Sequence, residues 1–168
     1  MNTADRDEVM RMTAAHIRRV GELMVEMGAE LMRRAVNHDA SKWSAEEWES
    51  FARETPTLKG LTYGSPEYKA ALERLGPALQ AHYKANRHHP EFHGEAGVDG
   101  MNILDLMEMI CDWKAATERH ADGNIESSIT KNTDRFKLSP QTAALRRNTV
   151  RDLGWGTPFK SPVSGSSC

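Results

Sequence analysis

Residues 101–120 read MNILDLMEMICDWKAATERH, and this stretch decides the fold class. It is the most strongly apolar helical run in the chain, so it predicts a buried helix rather than a surface one. Three carboxylates nevertheless lie along it. Asp105, Glu108 and Asp112 are separated by three, four and seven residues, which places all three on one narrow helix face. By default such a stripe is a solvated face; on a buried helix it is also a source of oxygen ligands.

Working outward, HHPEFHGEAGVDG (residues 88–100) reads as a loop, because Pro90 and three glycines cannot sustain a helix. Before it, Ser65-Pro66 is an N-cap and first-turn pair that opens a helix, and Gly76-Pro77 should kink that helix before His82. TPTLKGLTYG (55–64) reads as a loop. Ser44 with Glu47 forms an S-x-x-E start leading into Trp48 and Phe51, and Asp5 with Glu8 forms a similar start to the first helix. That helix carries Val9, Met12, Ile17, Val20, Met24, Met27 and Leu31 on its apolar side. Downstream, Asn124–Phe136 predicts a helix with Ile125, Ile129 and Phe136 inward. Ser139-Pro140 caps a last helix that stops near Gly154. There is no internal repeat and no convincing strand. The expectation is a compact all-α bundle forming one domain over residues 1–155, with a disordered tail at 156–168 (GTPFKSPVSGSSC).

Charged residues make up 27% of the 168 and the net charge is −2, without blocks of one sign. A general nucleic-acid binder needs a basic face, and none is evident. No stretch approaches the roughly 18 apolar residues of a membrane span, and the N-terminus lacks a secretion pattern. Cys111 and Cys168 suit neither a disulfide framework nor a paired-cysteine zinc site. A cytoplasmic protein is expected.

Histidine is distributed unevenly. Four of the seven fall within HYKANRHHPEFH, as His82, His88, His89 and His93. His38-Asp39 stands in NHDASKWS, and His16 sits on the inward stripe of the first helix. Imidazole nitrogens with carboxylate oxygens, and no thiolate, are the donor set of divalent metals. Taken singly, each has a plainer reading. His16 could be a core histidine, Asp39 a helix cap and the 88–93 run a polar loop; for His93 the loop is the better reading.

The order His, His-Asp, His, His-His, Asp resembles the HD-domain superfamily of metal-dependent phosphohydrolases, which are all-α. The resemblance implies metal ligation by His16, His38, Asp39 and Asp112. It also implies that Lys42, in HDASK, contacts substrate phosphate, and that His82, His88 and His89 hold a second metal or supply a proton. CDWKAATER resembles the final-Asp helix of the cyclic-dinucleotide phosphodiesterase branch. Closer still, NHDASKWS, HYKANRHHPE and MNILDLMEMICDWKAA resemble an uncharacterised family of bacteria and phages, over about residues 10–140.

One geometric condition follows. His16 and His38 are 22 residues apart, about 33 Å on an unbroken helix, so a shared ion needs a turn, for which Gly28 is the candidate. If the site forms, a nucleotide or related phosphate ester would be hydrolysed by metal-activated water. Lys42, Arg87 and Asn86 would bind substrate, with Lys42 and Glu108 in catalytic roles. Trp43 or Trp113 would stack on a base or pack in the core. One or two ions of Mn, Co, Fe, Ni, Zn or Mg fit the donors. Two other readings stay open: a non-catalytic adaptor holding a structural metal, and a di-iron oxygenase. A small phosphorylated substrate and a homodimer are the expected partners.

Overall fold

The computed structural model describes residues 3–62, 64–119 and 123–156, and they form an all-α protein. Six α-helices follow one another: α1 (Thr3–Asn37), α2 (Trp48–Lys59), α3 (Pro66–Ala85), α4 (Ile103–Thr117), α5 (Ile125–Phe136) and α6 (Pro140–Asp152). Two 3-10 segments, Ala40–Trp43 and Pro90–Gly100, complete the set. Among the described residues, no helix is long and apolar enough to cross a membrane. The tail expected at 156–168 lies, apart from Gly156, outside the described residues.

The chain divides after His38 into two units. The first unit is essentially α1, whose 35 residues run without a break. The turn anticipated at Gly28 is absent. Its physical support was weak, since a glycine inside a helix costs only about 1 kcal/mol and no Pro, Asn or Asp stands beside it. Outside the apolar stripe, ion pairs three and four residues apart support α1, such as Arg11–Glu8 and Arg33–Glu30, both 2.6 Å.

The second unit, from Asp39 onward, is a helical bundle. Its apolar core joins α4, α5 and α6 through Met109, Ile110, Trp113, Ile125, Ile129, Leu138 and Val150. Trp113 packs there parallel to Phe136, with the Arg146 guanidinium 5.4 Å from its ring, so core packing is its role. The helix starts at Ser65 and Ser139 follow the sequence signals, whereas the Asp5–Glu8 pair lies inside α1 and the Ser44–Glu47 pair forms no cap. Ser65 and Ser139 accept hydrogen bonds from the backbone N–H groups of Tyr68 and Thr142, and Asn102 forms a reciprocal capping box with Asp105. Gly76 adopts φ 39° and kinks α3 at the expected place. Two expectations shift. α2 continues through Pro56 to Lys59, shortening the loop read at 55–64. The 88–100 stretch winds into 3-10 turns, with Gly94 and Gly97 supplying the positive φ angles.

Candidate metal centre

Every side chain of the centre described below belongs to the second unit. Asp39 opens the 3-10 turn Ala40–Trp43 with φ 54° and ψ 20°, a left-handed conformation that Asp tolerates better than most residues. Its side chain makes no capping hydrogen bond. The turn is closed instead by backbone bonds, among them Lys42 N–H to the Asp39 carbonyl at 2.9 Å. The carboxylate is therefore directed elsewhere: Oδ2 accepts from the Lys42 ammonium at 2.5 Å, and Oδ1 faces two histidines.

His82 comes from the last turn of α3, where the kinked helix buries it. Asn86 caps that helix, and its amide donates to the His82 carbonyl at 2.8 Å and to Ser41 Oγ at 2.7 Å. The chain then turns sharply, with His89 N–H bonded to the Asn86 carbonyl. Pro90 holds His89 in an extended conformation (ψ 129°), as a residue before proline must be. Arg87 anchors this turn on α4. Its Nε and Nη2 donate to the two oxygens of the fully buried Asp105 at 3.3 and 3.1 Å, and its guanidinium lies 5.2 Å from the Phe92 ring. His93 adds a contact from Nε2 to the Arg87 carbonyl at 3.0 Å. Held at both ends, the turn delivers His88 and His89 to the side where His82 lies.

The result is a compact donor set. Asp39, His82, His88 and His89 each offer one atom, all within 4.8 Å of one another, and together could hold a metal ion. His82 Nε2 lies 3.3 Å from Asp39 Oδ1, His88 Nε2 3.5 Å from the same oxygen, and His89 Nε2 3.0 Å from His82 Nε2. Ligands bound about 2.1 Å from one ion in tetrahedral array stand about 3.4 Å apart, close to these three separations.

The far side of the imidazoles explains why those nitrogens face inward as bases. His82 Nδ1 lies 2.9 Å from Oε2 of Glu47, a carboxylate that is only 2% exposed. His88 Nδ1 lies 3.2 Å from Oε1 of Glu108. With a carboxylate that only accepts behind it, an imidazole that carries its proton on Nδ1 keeps the Nε2 lone pair for the centre. Such carboxylate–histidine pairs behind a ligand set its tautomer and raise its basicity. His89, packed against both other rings, has its pKa pushed down to about 3, first by burial and then by the neighbouring His88 and His82; Asp112 and Asp39 oppose this. Neutral imidazole, the ligating form, is therefore favoured.

The expected site residues fare differently in this geometry. His16 lies 22 residues before His38 along the unbroken α1, about 33 Å, so the two cannot share an ion. Arg87 is committed to Asp105 and Asn86 to the α3 terminus. Both position the histidine turn rather than sitting ready for substrate. Glu108 grips His88, which makes it a ligand-orienting group. Asp112 is close enough to His89 for its charge to act on the ring. Lys42 borders the centre through Asp39. His38 closes the first unit in the turn after α1, bonded through the peptide link to Asp39. His93, read as loop, has an enclosed side chain but stays outside the donor set. Trp43 is not core: it is 74% exposed and stacks on Trp48.

Glu47 was missed. In S-x-x-E it reads as a capping glutamate, yet it begins α2 without a side-chain cap bond and turns its carboxylate to His82 instead. Nothing local to the sequence separates the two uses, because the deciding partner is 35 residues away.

The chain belongs to a family of unknown function (DUF5662), which it matches over residues 5–152, a span that contains every residue of the centre. No curated protein and no solved structure matches it.

Proposed function

We propose that the protein is a metal-dependent phosphohydrolase whose substrate is a nucleotide or a related phosphate ester. The observation that carries this reading is the pairing of His82 with Glu47 and of His88 with Glu108, which turns two basic nitrogens toward Asp39 and His89. A histidine cluster serving only as core packing has no use for two carboxylates fixing its tautomers. When bound, a divalent ion supplies a Lewis acid for a phosphoryl oxygen and lowers the pKa of water from about 16 toward about 7. Borderline N and O donors suit Mn, Fe, Co, Ni or Zn better than an all-oxygen ion such as Mg.

The chain's own groups have defined tasks in this reading. Lys42, one 3-10 turn after Asp39, brings a mobile positive charge to the margin of the centre. Exchanging Asp39 for a phosphate oxygen would let its ammonium neutralise the substrate's charge. Asp112, beside His89, is the carboxylate placed to accept a proton from attacking water or to add an oxygen donor. Trp43, an exposed aromatic ring directly after Lys42, is available to a base.

The experiment has two stages. Metal analysis of the purified protein comes first, followed by phosphate release from mono-, tri- and cyclic nucleotides with Mn, Co, Ni, Zn, Fe and Mg. Metal-dependent release that Asp39→Asn abolishes is the expected result. Stoichiometric metal without turnover of any substrate would leave a metal-stabilised binding protein, and the hydrolase reading would be abandoned.

A further inference from the structure

The long first helix presents a problem that the metal centre does not touch. Its 35 residues make a rod of about 52 Å, and none of them is buried. Apolar side chains along one side are largely exposed, among them Met10 (69%), Ile17 (66%), Val20 (41%), Leu23 (43%), Met24 (67%) and Met27 (47%). A helix owes most of its stability in water to packing of such a face, so something must cover it.

Two patterns indicate what does. First, Met10, Ile17, Met24 and Leu31 recur every seven residues, with Val20 and Met27 three places after two of them. That is the spacing of a helix packing lengthwise against another helix. Arg11, Arg18, Arg19, Glu22 and Glu26 lie off this seam and are paired within α1 itself. Second, small residues flank the seam at the same interval: Ala14, Gly21, Gly28 and Ala35. A Cβ built on Gly21 or Gly28 meets nothing within 4 Å, so no contact inside the chain requires glycine there. Each glycine costs its helix about 1 kcal/mol relative to alanine, and close approach of another helix is the usual compensation.

We infer that α1 pairs along this seam with α1 of a second copy of the chain, making the protein a two-fold dimer. The areas agree with that occupant. The seven exposed apolar residues on and beside the seam between Val9 and Met27 present roughly 800 Å², against about 800 Å² per partner in a standard interface and 300–600 Å² for the largest patch on a typical monomer. Two identical helices meeting on the same face satisfy both copies at once, as a closed dimer requires.

The test is the oligomeric state of the full chain by sedimentation equilibrium, from sub-micromolar to about 50 μM. A dimer is expected. Ile17→Asp with Met24→Asp should weaken it at least about a hundredfold, because dimerisation would bury unpaired carboxylates. Since that variant could also unfold α1, Gly21→Leu with Gly28→Leu serves as the second. It raises helix propensity while blocking close approach, so it should be monomeric with its metal stoichiometry intact. A wild-type chain that stays monomeric at 50 μM, or either variant remaining as dimeric as wild type, overturns the inference.

Discussion

Replacing Glu47 by Gln tests the arrangement of the centre most directly, because the change is nearly isosteric and reaches no substrate. Glu47 Oε2 and His82 Nδ1 are 2.9 Å apart, with side-chain exposures of 2% and 4%, so solvent screens this pair hardly at all. Gln can still accept the Nδ1 proton through its carbonyl, which preserves the shape of the site. What disappears is the negative charge that makes the opposite nitrogen a better donor. Loss of a partner behind a ligating histidine typically weakens metal binding about 10- to 100-fold, or about 1.4–2.7 kcal/mol. The burial of this pair puts Glu47→Gln at the upper end. Glu108→Gln, acting on His88 across 3.2 Å with 13% exposure, belongs at the lower end. Competition titration of Mn or Zn against a chromophoric chelator measures both, with circular dichroism to confirm unchanged helix content. Affinities within threefold of wild type for both variants would refute the idea that these carboxylates serve a metal-binding role. So would a larger effect at Glu108 than at Glu47.

Four further outcomes follow from the same geometry. Asp39→Asn should abolish stoichiometric metal binding, since this carboxylate faces both His82 and His88, and elemental analysis of the purified variant reads it directly. His16→Ala should leave metal content and affinity unchanged, and a lost equivalent of metal would show that the unbroken α1 had been misread. Arg87→Met removes the guanidinium from the fully buried Asp105, leaving a charge held by the Asn102 N–H; a loss of about 2–3 kcal/mol is expected in urea unfolding of the metal-free protein. Acidification supplies the last. His89 titrates near 3 in the folded chain and near 6.5 when unfolded, so below pH 6.5 the unfolded state takes up the proton and the folded state does not. Stability of the metal-free protein should therefore fall by up to about 1.4 kcal/mol per unit between pH 6.5 and 3, part of which His89→Gln removes. Identical urea midpoints for wild type and His89→Gln at pH 7 and pH 5 would contradict this account.

The division between Asp39 and Glu47 shows how a residue's use escapes local reading. Both occupy positions where acidic side chains commonly cap helices, and neither caps one. Asp39 is released because backbone bonds already close its turn, and Glu47 because a buried imidazole competes for it. Arg87 illustrates the converse. An arginine next to a histidine pair looks ready for phosphate, but a fully buried Asp105 across the α4 terminus claims it first.

The sequence by itself determined the helical class, the caps at Ser65 and Ser139, the kink at Gly76 and the donor types of the centre. Those features depend on neighbours within about four residues, where hydrogen-bond geometry and side-chain period act directly on the chain. Only the tertiary structure decided that α1 runs through Gly28, that His16 stands far from His38, and that Glu47 and Glu108 stand behind His82 and His88. The two carboxylate–histidine pairings join residues 35 and 20 positions apart. Burial then chooses among groups with equal local claims, and that choice is made by packing rather than by spacing.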